Sequence, residues 1–301
     1  MSKTRKSAKT AKKAPRRKQT RRAGAARSSR SALATALNPR KPVQDRITAI
    51  ATAPLAICDD DRTLQSMLDV LRKRDEPIDV RLAALASIQA ASFSVVAFQS
   101  CRSDYIAALR AVMDDPDPEL RQRVLGILSR EKDGAAQKRL LEGLEKPAKA
   151  LVPPEKALQL LGYDPHASVY KVARRIVENP PNEEARLEAL RLLAADTSTR
   201  PVFEKILGDK AEAPEYRRIA ASALHAMAPD TLQKLAREIV MDPSDSDEIR
   251  ATSLTAIAQF GGSSTVAADD ALLTSVDGLT GASSPDLQEA ANRLRAKYGR
   301  E

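Results

Sequence analysis

The chain has 301 residues, 43% hydrophobic and 3% aromatic, lacks tryptophan, and carries a formal net charge of +9. A chain of this length buries a sizeable core, and with so few aromatics that core must come from Ala, Leu, Ile and Val, a composition that favours helices over sheets. No stretch approaches the roughly 18 apolar residues of a membrane span, and Cys58 and Cys101, 43 residues apart without a CxxC, argue against a disulfide scaffold.

The charge is divided along the chain. Residues 1–41 hold 15 Lys and Arg and no acid, so residues 42–301 carry 34 basic against 40 acidic side chains, a net of −6. Only Met1, Leu33 and Leu37 in residues 1–41 offer a bulky apolar side chain. A segment of that composition does not recover its ordering entropy, so 1–41 is expected to be a disordered Lys/Arg-rich tail. Its densest run is Lys12, Lys13, Arg16, Arg17, Lys18, Arg21 and Arg22, with Ala and Pro spacers resembling those of histone-like tails. These seven are the candidate nucleic-acid contacts, acting through counterion release on phosphates. No aromatic residue lies among them, so base stacking and sequence reading are not expected. A transit peptide, a nuclear-import signal in a eukaryote and a solubilising tail fit the same composition. Without an apolar anchor, membrane contact through the tail would be electrostatic only.

From Val43 onward apolar residues fall at helical spacing. A phrase then recurs. Asp79-Val-Arg81-Leu-Ala-Ala84-Leu85-Ala-Ser-Ile88 returns as Glu119-Leu-Arg121-Gln-Arg-Val124-Leu125-Gly-Ile-Leu128, and again as Glu184-Ala-Arg186-Leu-Glu-Ala189-Leu190-Arg-Leu-Leu193. Its Arg position falls at Arg46, Arg81, Arg121, Pro154, Arg186, Arg217, Arg250 and Gln288, in steps of 31 to 40 residues. That period fits two helices and two turns per unit. The phrase marks the second helix of each unit. The first helices are expected near 62–73, 104–113, 135–145, 166–178, 199–207, 229–241 and 266–277. Turns such as Asp114-Asp-Pro-Asp-Pro118, Glu178-Asn-Pro-Pro-Asn182 and Asp242-Pro-Ser-Asp-Ser-Asp247 stop one helix and cap the next. Val152-Pro-Pro-Glu155 suits a helix first turn, where proline loses no hydrogen bond.

This pattern resembles the HEAT-repeat family, including its short bacterial repeats, over about residues 43–298. The resemblance implies an all-α, right-handed α-solenoid of seven to eight antiparallel helix pairs, a HEAT-like or ARM-like superhelix, occupying 42–301. It also implies that a turn acid and the second-helix Arg bond within and between neighbouring repeats. Asp79/Arg81, Asp117/Arg121, Glu184/Arg186, Glu215/Arg217 and Asp247/Arg250 occupy the matching places, and a structural ladder is expected of them. Pro154 and Gln288 are the irregular positions, a bend and an end cap.

Chemistry-bearing residues are few. His166 and His225 are the two histidines, without acidic neighbours or a second His at i+4. The repeated His-Glu iron ligands of HEAT-like hydroxylases are missing, and two Cys with two His at these separations have no zinc spacing. His225 reads as a partly buried structural residue and His166 as a helix-start residue. Gly261-Gly-Ser-Ser-Thr265 lacks a P-loop lysine. The 242–248 acids lack the glycine of a calcium loop, and Asp59-Asp60-Asp61 reads as a helix start. No Trp and scattered Tyr disfavour a DNA glycosylase, and HEAT-like lyases leave no short signature to check.

The expectation is a non-catalytic cytoplasmic scaffold binding a protein partner on its solenoid surface, without cofactor, metal or membrane insertion. Its tail would contact DNA or RNA, placing it at the nucleoid or, in a eukaryote, the nucleus. A sequence-nonspecific DNA/RNA-binding protein is the alternative.

Overall fold

A computed structural model describes residues 31–52 and 61–299, and among these all regular structure is helical. The chain divides into two compact units, one ending at Leu128 and the other beginning at Ser129.

The first unit contains α1 (31–36), α2 (Val43–Ala51), α3 (Asp61–Arg72), α4 (Ile78–Ser92), α5 (Val95–Phe98) and α6 (Arg102–Ala111). It ends within α7 (Pro118–Arg130). Two rows form. The first helices α3 and α6 pack side by side, the second helices α2 and α4 do the same, and α3 packs on α4. The i, i+3, i+4 spacing of the apolar residues explains the rows, since each stripe must be buried by a neighbour. Leu64, Met67, Leu68 and Leu71 of α3 meet Val80, Ala84, Leu85 and Ile88 of α4, all at most 2% exposed. Ser87 Oγ donates to the Ile50 carbonyl at 3.1 Å, tying the end of α2 to α4. Phe98 and Tyr105 close the corner edge to face, with centroids 5.5 Å apart.

The expected disorder of 1–41 does not reach its last eleven residues. Residues 31–36 are helical, Ala36 is buried, and its carbonyl accepts from Arg46 Nε at 2.8 Å. Leu33 and Ala36 are too few to order a free segment, but docking against α2 supplies burial that composition alone does not register. Residues 1–30 lie outside the described residues.

The second unit contains α8 (Gly134–Glu145), α9 (Pro154–Leu161), α10 (Ala167–Glu178), α11 (Glu183–Leu193) and α12 (Arg200–Gly208). It continues with α13 (Pro214–Met227), α14 (Pro229–Met241), α15 (Asp247–Phe260), α16 (Ser263–Ala267), α17 (Asp270–Leu279) and α18 (Pro285–Tyr298). Helix pairs α8/α9, α10/α11, α12/α13, α14/α15 and α17/α18 follow one another. The second helices α9, α11, α13, α15 and α18 pack each on the next, so the unit is a helical-repeat array. Its ends are set by local chemistry. Asp133 accepts from the Ala135 and Ala136 N–H groups, Asn182 from Ala185, and Asp269 from Leu272. Pro154, Pro214, Pro229 and Pro285 sit in first turns, where no donor is missed. Gly143 lets the chain cross α8 closely, because a Cβ there would lie 2.9 Å from Ala150 Cα.

The expected first helices fall within two residues of those observed until the last. The span expected at 266–277 is interrupted by the short α16, and α17 starts at Asp270 because Asp269 caps it. No single helix among the described residues is long and apolar enough to cross a membrane. Ile78–Ser92 and Val95–Ala111 pass only together, and they are bent by 115°.

Candidate interaction surfaces

The recurring Arg residues do two jobs, and both point inward. All but Arg121 place Nε or a guanidinium N–H on a carbonyl near the end of the helix before them. Arg46 reaches Ala36, Arg81 reaches Leu71 at 3.0 Å, and Arg186 reaches Val177 at 3.3 Å. Arg217 reaches Leu207 at 2.9 Å and Arg250 reaches Val240 at 3.2 Å. These are the orphan carbonyls of a helix C-terminus, where a cation also meets the negative end of the dipole.

In four of them the fork then takes a carboxylate in the turn of the following helix pair. Arg46 pairs with Glu76 at 2.7 Å, and Arg81 with Asp115 at 2.5 and 3.3 Å. Arg186 pairs with Glu212 at 2.6 and 2.8 Å, and Arg217 with Asp245 at 2.6 Å through both nitrogens. Arg186 also lies 4.4 Å from the centre of the Tyr216 ring. These rungs join one pair to the next within each unit.

The ladder therefore exists, but with different acids from those expected. Asp79, Glu184 and Glu215 are exposed first-turn residues. Two residues from the phrase Arg, a side chain points about 200° around the helix, so it cannot share the Arg's buried face. Asp117 caps its own helix through the Leu120 N–H at 2.8 Å, while Arg121 donates to the Asp115 and Pro116 carbonyls. Asp247 and Arg250 alone form the expected pair, at 3.5 Å. Gln288 donates to the Thr280 carbonyl at 2.8 Å, so it keeps the capping job without the charge.

The rungs set their own electrostatics. The Arg46 hydrogen bond, outweighing burial, holds the Glu76 carboxyl below its usual range. Burial pushes Asp115 and Asp245 up. The hydrogen bonds from Arg81 and Arg217, the Asp117 and Ser246 N–H groups, and Coulomb attraction more than offset it, so both lie below their ordinary value.

An open groove of roughly 740 Å³ lies between α8 and α10, lined by Gln137, Lys138, Glu142, His166 and Lys171 among others. Part of its polar lining is engaged in hydrogen bonds. Gln137 donates to Asp164 at 2.8 Å and meets His166 Nε2 at 3.3 Å, and Lys132 stands 3.4 Å from Asp164. The Gln137 bond, with Lys132, lowers the Asp164 carboxyl. His166 is the cap residue of α10, as expected of a helix start. His225 is half-buried and stacks on Phe260 with centroids 3.8 Å apart. Among the described residues no three His, Cys, Asp or Glu side chains cluster as a metal site. Cys101 is buried and free, and Cys58 lies outside the described residues.

The tail contacts Lys12, Lys13, Arg16, Arg17, Lys18, Arg21 and Arg22 also lie outside the described residues. One surface feature escaped the sequence reading. Phe93, Val95 and Val96, at the corner between α4 and α5, are 80%, 71% and 88% exposed. The available signal was the run 82–101, twenty residues without a charge.

No protein-family model and no curated protein sequence matches this chain. Among solved structures, human deoxyhypusine hydroxylase in complex with glycerol is similar over 94% of this chain and 100% of that one, at 13% identity and a TM-score of 0.27. A likeness that loose carries nothing over to this chain.

Proposed function

We propose that the protein is a non-catalytic HEAT-like scaffold. Its helix pairs present a surface to a protein partner, and its Lys/Arg tail contacts nucleic acid or another polyanion. The inward direction of the phrase carries this reading. The most regular polar residues of the sequence are used up in joining repeats, which builds an extended surface rather than a pocket. The division of charge, 15 basic residues in 1–41 against a net of −6 beyond, supports the role of the tail. The second reading, a nucleic-acid binder with the repeats as a spacer, draws on the same division.

Gel-shift titration of the full chain separates the tail from the repeats. The comparison is a variant with Lys12, Lys13, Arg16, Arg17, Lys18, Arg21 and Arg22 replaced by Gln. The full chain should shift duplex DNA and lose affinity steeply with salt, and the variant should not. Equal binding by both refutes the tail role. Affinity capture from the source cell extract, with either form, tests the scaffold. Capture of nothing by both forms counts against it.

A further inference from the structure

We propose that Ser283 is a phosphorylation site, and that its phosphate closes the rung left open at Arg250.

Arg250 holds the phrase position without the acid that its counterparts take. It is 7% exposed, and Arg81 and Arg217 are 3% and 2% exposed. Those two reach a carboxylate in the following turn, six and five residues before the next phrase position. Five residues before Gln288 stands Ser283. With no acid there, the Arg250 fork turns back on its own helix. Nη2, rather than Nε, meets the Val240 carbonyl, and Nη1 stands 3.5 Å from Asp247, whose side chain is 47% exposed. Nε is buried and finds no acceptor among the described residues. A buried donor on a charged group is destabilising when its hydrogen bond is not made. Arg121 is no parallel, being half-buried with its fork on the Asp115 and Pro116 carbonyls.

The last helix pair is nonetheless in register. Gln288 caps the Thr280 carbonyl eight residues back, as Arg250 caps Val240 ten residues back. Val240, Leu254, Leu287 and Ala291 are buried in one cluster. The turn before α18 therefore meets Arg250 as the turn holding Asp245 meets Arg217. Ser283 is exposed in that turn, so a modifying enzyme has access to it. Ser284, at the cap of α18, makes no side-chain bond to the helix, and the start of a helix favours an anion.

Phosphate supplies what the rung lacks. At pH 7 it carries about −1.5 to −2 charges and three acceptor oxygens, and a guanidinium fork takes two of them. Other rungs use both Asp245 and Glu212, so acids of either length serve. Asp247 keeps its place in the first turn of α15 when Arg250 leaves it, where the helix dipole still favours it. A protein kinase delivers the group from a nucleoside triphosphate. The Ser283 Oγ–phosphorus bond forms as the bond from the γ-phosphorus to the β-phosphate oxygen breaks. The nucleoside diphosphate leaves, and the hydroxyl proton passes to a base of the kinase. The modification fastens α17/α18 to α14/α15 as Arg217 fastens α14/α15 to α12/α13.

The full chain with phosphoserine installed at 283 during translation should unfold at higher urea than the parent, its unfolding constant lowered about tenfold. The amides of α17 and α18 should exchange more slowly. Ser283→Glu should shift both in the same direction by less. These gains should vanish in Arg250→Gln, which keeps a donor for the Val240 carbonyl, as Gln288 does for Thr280, but has no fork. Mass spectrometry of the chain from its source cells should find phosphate on Ser283 rather than Ser284.

An equal gain in the Arg250→Gln background shows that the charge acts only on the start of α18, and overturns the proposal. So does the absence of a gain in the parent. Inorganic phosphate that raises the parent's urea midpoint as far as phosphoserine does assigns Arg250 to a free anion and overturns the covalent reading. Unmodified Ser283 in protein from growing and starved source cells alike overturns it too.

Discussion

Replacing Arg217 by Met tests the ladder where it is most buried. Arg217 is 2% exposed, caps the Leu207 carbonyl and holds Asp245 with both guanidinium nitrogens. Met fills much of the volume but leaves a buried carboxylate, with the Ser246 N–H as its nearest remaining donor, and strips the cap from α12. Removing one partner of a buried pair costs about 3–5 kcal/mol, because the other charge stays buried. The exposed pair Arg293–Glu289, with both side chains more than 60% exposed, should contribute no more than about 0.5 kcal/mol when Arg293 is changed to Met. The pair Arg217→Met, Asp245→Leu should recover most of the loss, since a well-packed apolar replacement of a buried ion pair is near neutral. The penalty also has a pH signature. In the parent, Asp245 is held below its ordinary value. In Arg217→Met burial is left to raise it, so the variant takes up a proton and the gap from the parent narrows as pH falls toward about 4. Urea unfolding followed by circular dichroism at neutral and acid pH measures all three variants. A loss below about 1 kcal/mol for Arg217→Met, or one equal to that of Arg293→Met, refutes the reasoning.

Asp79→Ala, Glu184→Ala and Glu215→Ala should each destabilise by less than about 1 kcal/mol, because these acids serve only the helix dipole; a larger loss in urea unfolding would restore them to the ladder. Glu76, Asp115, Asp245 and Asp269 all have carboxyls below their ordinary values. Their contribution is therefore fully present above about pH 4 and is lost as pH falls through the lowered values, so the urea midpoint should hold from neutral pH down to about 5 and then drop. Gly143→Ala should lower stability by roughly 1–3 kcal/mol, because its Cβ would meet Ala150 backbone at 2.9 Å. Lys132→Gly should raise stability by about 1 kcal/mol, since Lys132 sits at φ 54°, a conformation that favours glycine, and its ion pair with Asp164 is largely exposed.

The sequence by itself determined the helices, their order and their period. Those follow from apolar spacing, caps and prolines, which act within a few residues of one another. It also placed Arg46, Arg81, Arg186, Arg217 and Arg250 in one frame, and their shared geometry is a consequence of that frame. The true acids left a trace that phrase reading passed over. Glu76, Glu212 and Asp245 each lie five residues before the next phrase position, and Asp115 six before Arg121. At the corresponding places after Arg121, Pro154 and Arg250 stand Lys149, Pro181 and Ser283. Only the tertiary structure decided which acid each Arg takes, because the partner sits 26 to 34 residues away and is brought close by stacking one pair on the next. It likewise decided that residues 31–36 belong to the folded body, since the carbonyl that orders them matters only when Arg46 is beside it. The corner at Phe93 is the same case in reverse. The run 82–101 is plainly apolar in sequence, but only packing shows that Ile88 and Phe98 go inward while Phe93, Val95 and Val96 stay outside.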